Sequence, residues 1–243
     1  MWNKKKGFGK MDLNVNDKKN LEITVGDQVY CRYAIKTHFV KINESYIDII
    51  NKYAKPVYQE GDVISISEKI IALCQNRVVY KNDLKVGFWA KFLSKFAAKS
   101  TAGQGVSNQL KMAYCIKKAG LIKTIWASFC SAIGKIFGKK GVFYKIVGQE
   151  VAGLDGFYPN VFEEYGNYGI ENPENPNEVC KEIEEQTGIP CMIVDANDLG
   201  QELLGCSPKM SEQFAESEML GMIKDNPAGQ GKELTPIILI RKK

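Results

Sequence analysis

Three acidic or polar turns of the sequence stand beside apolar runs. Asp155 lies in "GLDG", Asp195 follows the run "CMIV", and Gln230 lies in "GQGKE". Mg²⁺ and Mn²⁺ prefer oxygen ligands, usually one or two carboxylates completed by substrate phosphates and water. Two loop carboxylates and an amide oxygen are therefore sufficient for a divalent-metal site, and the neighbouring glycines would let the backbone approach a phosphate closely.

Each of these residues also has a purely structural interpretation. Asp and Gly at strand ends are common turn residues, and spacing alone does not bring the three turns together. The strand at Met192–Val194 is expected to stop at Asp195 and to hold that carboxylate at its end. Asp198, three residues on, is interpreted as a residue that supports the ligands or as a cap for the next segment rather than as a ligand itself.

Composition limits the class of protein. The chain has 243 residues, of which 44% are hydrophobic and 25% charged, as in an ordinary globular protein. The first twenty residues lack the apolar core of a signal peptide, and no run of about 18 apolar residues is present. We expect a cytoplasmic protein with a basic flexible tail at 1–20. The seven cysteines form no C-x-x-C pair, which favours free thiols over a zinc site.

Charge is distributed unevenly along the chain. No Asp or Glu occurs between Leu84 and Gln149. Such a segment attracts anions, among them nucleotides, nucleic acid or an anionic membrane surface, or it is a solvated face that complements the acidic C-terminal part. Nucleic acid is disfavoured because the segment has no binding motif and no arginine. The segment contains twelve lysines: Lys85, Lys91, Lys95, Lys99, Lys111, Lys117, Lys118, Lys123, Lys135, Lys139, Lys140 and Lys145.

One part of this segment, "LIKTIWASFCSAIGKIFGKK", has the pattern of an amphipathic helix. Trp126, Phe129, Ile133 and Phe137 share one helical face. A cationic helix with such a face is typical of proteins that lie on membranes. A surface helix that packs this face on its own core has the same pattern, so both alternatives stay open.

The remaining patterns predict an α+β protein with mixed sheets and flanking helices. We expect a domain at 21–243, with a lysine-rich helical section at about 84–140 that breaks at Gly120, Gly134 and Gly138. The other predicted elements are two strands or one bent strand at 21–40, a helix at 45–54 capped by Ser45, a strand from Val63, a strand at 141–148, a helix capped by Asn177 and closed by Gly188, a helix at 211–224 and a final strand at "IILIR".

Four blocks of sequence occur in a recognisable order: "GDVISISEKIIA", "GVFYKIVGQEVAGLDG", "IENPENPNEVCKEIEEQTGIPCMIVDANDLG" and "DNPAGQGKELTPIILIR". This order resembles that of the deazaflavin coenzyme (factor 420) gamma-glutamyl ligases. It is most similar to a bacterial branch of unnamed substrate that carries "TH" near its start and "DANDLG" later. The resemblance covers most of residues 31–242 and is weakest across the lysine-rich middle. It implies a ligase fold, an intertwined homodimer, and a reaction that joins L-glutamate to a phosphorylated precursor with GTP and a divalent metal.

The resemblance also implies roles for individual residues. Asp155, Asp195 and Gln230 match metal-binding positions. The matches to nucleotide-binding positions are Thr37, His38, Glu68, Lys69, Ala228, Gly229, Gly231, Lys232, Glu233 and Thr235. His38 is the single histidine, and a proton shuttle, a nucleotide contact and a structural polar role all remain open for it. Lys69 is either a phosphate partner or a solvent-exposed lysine.

Three positions depart from the family pattern. Ala196 stands where the ligases have a metal-binding threonine, Leu73 where they have a phosphate-binding lysine, and Tyr158 where they have an asparagine. Asn160 or a nearby lysine could compensate.

Two classes of function follow. The first is a nucleotide- and metal-dependent amide ligase, using Mg²⁺ or Mn²⁺ with GTP or ATP, that adds glutamate or another amino acid to a carboxylate-bearing, cofactor-like molecule. The second is a noncatalytic protein that binds a nucleotide or another anionic ligand, at a membrane surface in one version.

Overall fold

A computed structural model of the chain describes residues 13–97, 105–157, 162–197 and 200–243. The chain forms two compact units. Unit 1 comprises Met1–Val40, Glu44–Ile70 and Asn175–Lys243, and unit 2 comprises Lys41–Asn43 and Ile71–Glu174. The sequence of unit 2 is thus inserted within that of unit 1, whose parts come from both ends of the chain.

The described residues form strands, α-helices and two 3₁₀ turns. The strands are β1 (Glu22–Val25), β2 (Gln28–Ile35), β3 (Val63–Ser67), β4 (Val78–Tyr80), β5 (Asp155–Gly156), β6 (Tyr168–Ile170), β7 (Cys191–Asn197), β8 (Gly200–Cys206) and β9 (Ile237–Lys242). The helices are α1 (Tyr46–Tyr53), α2 (Glu68–Cys74), α3 (Phe88–Phe96), α4 (Gln109–Ala119), α5 (Leu121–Ile136), α6 (Val142–Val147), α7 (Gln149–Ala152), α8 (Pro176–Thr187), α9 (Pro208–Gln213) and α10 (Glu216–Met222). The 3₁₀ turns are Lys81–Asp83 and Glu163–Gly166.

Unit 1 contains a six-stranded mixed sheet in the order β1-β2-β9-β3-β7-β8. Only β3 and β7 pair in parallel, and the other neighbours are antiparallel. The last strand of the chain, β9, lies between β2 and β3, so that Ile237 pairs with both Ile35 and Ile66. The C-terminus therefore completes the centre of the sheet.

Both faces of the central strands β3 and β9 are buried, whereas the edge strands β1 and β8 are partly exposed. On one face, Ile238 and Ile240 of β9 pack with Met210, Met219 and Met222 from α9 and α10. The alternate residues of β9, Ile237 and Leu239, are also fully buried. A strand that is covered on both faces reads as a continuous apolar run, which explains the sequence "IILI".

Unit 2 combines helices with a small sheet. Its three strands pair antiparallel in the order β4-β6-β5. One core cluster of unit 2 gathers Met112, Tyr114 and Cys115 of α4 with Phe143 of α6 and Leu154. Together the two units confirm the predicted α+β class, with a mixed sheet and flanking helices.

Several predicted elements are confirmed. Residues 21–40 form two strands, β1 and β2. Helix α1 begins after Ser45, whose Oγ accepts a hydrogen bond from the Asp48 amide at 3.2 Å. Gly120 separates α4 from α5, and Gly188 ends α8. The final strand is β9.

Other predicted elements are wrong. The run at 141–148 forms helix α6 rather than a strand, because Phe143 and Val147, four residues apart, are buried together on one helical face. Gly134 lies inside α5, where its lack of a side chain admits α6: a Cβ there would lie 2.9 Å from Val142 Cγ2.

The acidic C-terminal third contains three further corrections. The predicted helix at 211–224 is two helices, α9 and α10. The cap of α8 is Asn175, whereas Asn177 lies within the helix and its Oδ1 accepts a hydrogen bond from the Cys206 amide at 3.0 Å. Strand β7 runs to Asn197 instead of stopping at Asp195, because β8 pairs with it as far as Gly200.

Residues 13–20 of the predicted basic tail contact the rest of unit 1. Asn14 forms a β-bridge with Ala34. Asn16 Nδ2 donates a hydrogen bond to Thr235 Oγ1 at 2.7 Å, and Lys19 Nζ donates one to the Asp225 carbonyl at 2.7 Å. The earlier part of the tail, at 1–12, lies outside the described residues.

None of the helices in the described parts of the chain is long and apolar enough to cross a membrane.

An ion pair between the buried Arg32 of β2 and the partly exposed Asp225 lies at the start of the last loop of unit 1. The Arg32 side chain is 1% exposed, and it also donates a hydrogen bond to the Asn20 carbonyl at 2.7 Å. Burial by itself would raise the pKa of Asp225, but the hydrogen bonds and charge of Arg32 outweigh burial and lower it. A carboxylate with a lowered pKa stabilises the folded state above its unfolded pKa and loses this contribution as the pH falls through the folded pKa.

We expect Asp225→Asn to lower the free energy of unfolding by a constant amount above about pH 5. The deficit should shrink as the pH falls below about 4, because the unfolded wild-type carboxylate becomes protonated there and the folded one only at lower pH. Urea unfolding of both proteins from about pH 2.5 to neutrality measures the difference. Asp27→Asn, in the exposed β1–β2 turn, is the control. A deficit that does not change with pH would contradict the assignment.

Candidate functional site

Residues predicted to bind nucleotide and metal meet at one end of the unit 1 sheet. Strands β2, β3 and β7 all run towards this end, because β2 and β3 are both antiparallel to β9 and β7 is parallel to β3. Thr37 and Glu68 follow the ends of β2 and β3, and Asp195 is one residue beyond Val194, which pairs with Ser67. Ligands of open sheets containing parallel strands commonly bind at the carboxyl ends of the strands.

The segment 225–236 reaches the same end of the sheet, because it leads directly into β9. The Thr37 amide donates to the Leu234 carbonyl at 2.8 Å, and the Ser67 amide donates to the Pro236 carbonyl at 2.9 Å. Within the segment, Thr235 Oγ1 donates to the Ala228 carbonyl at 2.9 Å. These bonds attach the predicted nucleotide-binding turn to both β2 and β3.

The carboxylate of Glu233 lies close against two glycines of this turn. Gly229 has φ +77°, and a Cβ added there would lie 3.0 to 3.3 Å from the carboxylate atoms of Glu233. A Cβ at Gly231 would lie 2.9 Å from the Glu233 carboxylate oxygens. The predicted phosphate-binding glycines therefore surround an acidic side chain of the chain itself. Gln230 and Lys232 alternate with them and are exposed.

Asn226 supports the base of the same turn. It is 1% exposed, and its Nδ2 donates to the Gly229 carbonyl at 3.1 Å. Its Oδ1 is buried and has no hydrogen-bond partner among the described residues. A buried acceptor without a partner is costly, so this oxygen marks a position where a donor from a ligand or water would be stabilising.

Asp195 has an acidic neighbour that the sequence analysis missed. It pairs directly with Glu202 across β7 and β8, and residues directly opposite in an antiparallel pair place their side chains on one face, with Cβ atoms about 5 Å apart. Two like charges so placed repel each other unless a cation or donor lies between them. Asn197 and Gly200 are residues typical of a hairpin, and their pairing sets the register that places Glu202 opposite Asp195.

His38 lies next to Thr37 and has partners on both sides of its ring. Nε2 is 2.6 Å from Glu44 Oε2, and Nδ1 is 2.8 Å from the Tyr53 hydroxyl oxygen. A carboxylate only accepts hydrogen bonds, so Nε2–H donates to Glu44. Both ring nitrogens of His38 thus have partners within unit 1, as a structural polar role requires. A nucleotide contact would have to replace one of these bonds.

Glu68 and Lys69 open helix α2 and are both half-buried. Each takes part in polar or electrostatic interactions. Lys69 is therefore not the freely exposed lysine of the simpler interpretation.

Asp155 belongs to unit 2, where it forms the two-residue strand β5 with Gly156. Its Oδ1 accepts a hydrogen bond from the Gly156 amide at 2.9 Å. Gly156 has φ +119°, and a Cβ there would lie 2.6 Å from the Tyr168 carbonyl oxygen. The second glycine of "GLDG", Gly156, is thus required by the close approach of β6.

The Lys111 side chain forms hydrogen bonds with the backbone immediately before Asp155. It is 7% exposed, and its Nζ donates to the carbonyls of Leu154 at 2.5 Å and Ala152 at 3.3 Å. Burial lowers the pKa of Lys111, and the charge of Asp155 partly opposes this shift. The lysine was assigned from sequence only to a charged face; its burial is decided by the packing of α4.

A second buried polar network of unit 2 surrounds Glu171. This side chain accepts a hydrogen bond from the Tyr114 hydroxyl at 2.6 Å and forms ion pairs with Lys118 at 3.0 Å and Arg77 at 3.3 Å. Burial alone would raise the pKa of Glu171, but the Tyr114 and Lys118 hydrogen bonds and the charge of Arg77 lower it. Burial and the contact with Glu171 raise the pKa of Tyr114. Lys118 of the basic segment is thus a structural residue.

The positions that depart from the ligase pattern are mainly apolar. Leu73 is 1% exposed and packs with Tyr168 and Ile170 in unit 2. Ala196 is half-buried against the core of unit 1. Tyr158, Asn160 and Asp198 lie outside the described residues.

The predicted metal residues are divided between the units: Asp155 lies in unit 2, and Asp195 and Gln230 lie in unit 1. Within the described ranges, no three His, Cys, Asp or Glu side chains are grouped so that they could hold a metal ion. The predicted set consists of two carboxylates and one amide, so the absence of such a group of three does not bear on it. Its metal role stays a prediction.

Comparison with protein-family models finds no match, and comparison with curated proteins finds no match either.

We expect Lys111→Met to destabilise the protein by about 1–3 kcal/mol, because the buried Leu154 carbonyl and the partly buried Ala152 carbonyl lose their donor. Lys117→Met, on the exposed side of the same helix, is the matched control and should change stability by no more than about 0.5 kcal/mol. Urea unfolding of the three proteins measures both effects. Equal stabilities of the two variants would show that the buried ammonium contributes nothing.

Proposed function

We propose that the protein is an amide ligase that depends on a nucleotide and a divalent metal. It adds glutamate, or another amino acid, to a carboxylate-bearing, cofactor-like molecule. The factor-420 gamma-glutamyl ligases that the sequence resembles are the model for this proposal. GTP or ATP is the cosubstrate, Mg²⁺ or Mn²⁺ the metal, and an intertwined homodimer the proposed assembly.

The observation that carries the proposal is the convergence within unit 1. Thr37, Glu68, Asp195 and the turn at 228–235 are far apart in the sequence, yet they lie at one end of a single sheet. These are the segments to which the resemblance gives nucleotide and metal roles. Such convergence is expected of a ligand site and is not required of unrelated turns.

The acidic pair of unit 1 fits a hard cation. Asp195 and Glu202 lie opposite each other in the β7–β8 hairpin, and oxygen donors of this kind suit Mg²⁺ or Mn²⁺. Gln230 is proposed as a further oxygen ligand on the basis of the resemblance. When bound, the cation would offset negative charge on the phosphoryl group that is transferred. Asp155 remains a ligand predicted from sequence alone.

The proposed reaction has two steps. A carboxylate oxygen of the acceptor attacks the γ-phosphorus of the nucleotide, the bond to the bridging oxygen breaks, and an acyl phosphate and a nucleoside diphosphate form. The amine of the amino acid then attacks the acyl carbon, inorganic phosphate leaves with the electron pair of the C–O bond, and the nitrogen loses a proton. Catalysis of this kind depends chiefly on positioning and electrostatics.

The chain supplies positioning groups for these steps. The backbone of Gly229 and Gly231 can approach phosphates closely, provided that Glu233 moves away from them. His38, oriented by Glu44 and Tyr53, is the candidate to receive the proton of the amine, provided that its Nδ1 contact with Tyr53 is replaced.

A noncatalytic nucleotide- or anion-binding protein is the second candidate. It is favoured by Leu73, because a residue buried in the core of unit 2 cannot take the place of a phosphate-binding lysine. Ala196, which has no ligand atom in place of the threonine, points in the same direction.

Thermal unfolding with GTP or ATP, with and without Mg²⁺ or Mn²⁺, tests the site. At a ligand concentration about a hundred times Kd, we expect the Tm to rise by roughly 5–10 °C, and only with metal present. Asp195→Asn should remove most of this rise. Asp27→Asn, at the opposite end of the same sheet, should keep it. A nucleotide effect that is independent of metal and survives Asp195→Asn would refute the site.

Turnover separates the two candidates. Phosphorylated carboxylic acids are incubated with GTP, metal and L-glutamate, and phosphate release and product mass are measured. A ligase gives phosphate release that requires both acceptor and amino acid, with a product heavier than the acceptor by glutamate less one water. Metal-dependent nucleotide binding without such release across the acceptor series favours the noncatalytic candidate.

A further inference from the structure

Helix α5 presents its large apolar residues to solvent. Its small residues Thr124, Ala127 and Gly134 are buried and face α4 and α6. The opposite side of the helix and the residue after it form an exposed row: Ile122, Trp126, Phe129, Ile133, Ile136 and Phe137. Trp126 is 58% exposed and Ile122 is 85% exposed. The four residues of the predicted amphipathic face thus share one face, and the alternative that packs this face on the core is wrong.

Helix α3 has the same inverted arrangement. Ala90, Leu93 and Ser94 are buried, whereas the four rings of Phe88, Trp89, Phe92 and Phe96 are exposed. The rings of Phe88 and Phe92 are stacked with centroids 5.8 Å apart, and those of Phe92 and Phe96 are 5.0 Å apart. Helices α3 and α5 contact each other within unit 2. Ten of the thirteen large hydrophobic residues exposed among the described residues belong to these helices and Phe137, so the exposure is concentrated.

Lysines accompany the exposed rings. Lys91 and Lys95 lie on α3, and Lys123 and Lys135 lie on α5; all four are exposed. No acidic residue occurs between Leu84 and Gln149. The exposed apolar residues of α3 and α5, with Phe137 and these four lysines, are called the α3–α5 surface below.

We propose that the α3–α5 surface binds an anionic lipid bilayer. Exposed apolar patches of this kind mark interaction sites. Cationic helices with Trp, Phe and Ile on the apolar face lie in the plane of the headgroups and bury that face about 5–10 Å deep. Trp is especially suited to this interface because its ring is apolar and its N–H is polar.

The charge of the surface selects this partner over the alternatives. A symmetric contact between two copies would place the same lysines against each other, with no carboxylate in the segment to pair with them. A nucleic acid would satisfy the charge but would leave most of the aliphatic residues without an apolar environment, and the segment has no arginine. An anionic bilayer satisfies both the lysines and the apolar row.

Sedimentation with vesicles tests the proposal on the full chain. Vesicles of phosphatidylcholine alone are compared with vesicles containing 3 parts in about 10 of phosphatidylserine. We expect binding to the anionic vesicles, weakened by salt. Two of the three tryptophans lie on the α3–α5 surface, so tryptophan emission should shift to shorter wavelength on binding.

Two variants divide the surface into its apolar and charged parts. Trp126→Glu with Phe129→Glu should abolish vesicle binding; the replaced side chains are more than half exposed, so the fold should persist. Lys123→Glu with Lys135→Glu should weaken binding at least tenfold, since each lysine near an anionic surface contributes about fivefold. Lys55→Glu with Lys224→Glu, exposed in unit 1, is the charge-matched control. Circular dichroism and Tm verify that every variant is folded.

Other outcomes would overturn the proposal. Folded surface variants that bind anionic vesicles as well as the control does would exclude the α3–α5 surface. Equal binding to both vesicle types at all salt concentrations would remove the role of the lysines. Absence of vesicle binding, with a dimer in analytical ultracentrifugation that the Trp126 and Phe129 changes dissociate, would identify a second copy as the partner. Absence of vesicle binding with salt-dependent RNA binding would identify nucleic acid.

Discussion

The insertion of β9 between β2 and β3 is the constraint on which unit 1 depends. It joins the last residues of the chain to two strands from its first third, through pairings of Ile237 with Ile35 and Ile66. Because the preceding segment must enter the sheet at one fixed end, the turn at 228–235 is held beside Thr37 and Ser67. The ion pair of the buried Arg32 with the partly exposed Asp225 attaches the start of that segment to β2. The candidate site is thus a consequence of strand order.

Unit 2 uses charged side chains in its interior and apolar side chains on its surface. Lys111 and Glu171 are buried and fully engaged with carbonyls, a phenol and cations. Buried groups of this kind are tolerated only when they are paired and hydrogen-bonded. The rings of α3 and α5 occupy the outside instead. Exposed tryptophans do not contribute to the core of the unit, so its stability does not explain their position. This arrangement motivates the proposed contact with a bilayer.

The proposed ligase chemistry and the proposed bilayer contact concern separate units and separate observations. The first depends on the sheet end of unit 1, with Asp195 and Glu202 opposite each other. The second depends on the exposed faces of α3 and α5. Failure of one therefore leaves the other unaffected. The residue roles of the ligase proposal come from the sequence resemblance, whereas the bilayer proposal uses only the exposed surface of unit 2.

The sequence by itself determined the elements whose signals are local. Helical spacing and a cap were sufficient for α1, and β-branched and aromatic residues were sufficient for the strands β1 and β2. The continuous apolar run was sufficient for β9, because a strand that is buried on both faces consists of apolar residues throughout. It did not determine that "VFYKIV" would be helical, since β-branched and aromatic residues fit either state until neighbours fix the periodicity. Tertiary structure alone decided that Glu202 stands opposite Asp195, that Lys111 is buried, and which face of α5 meets solvent. In each case the deciding quantity is a contact between residues distant in sequence, and an amphipathic pattern is the same whichever way the helix is turned.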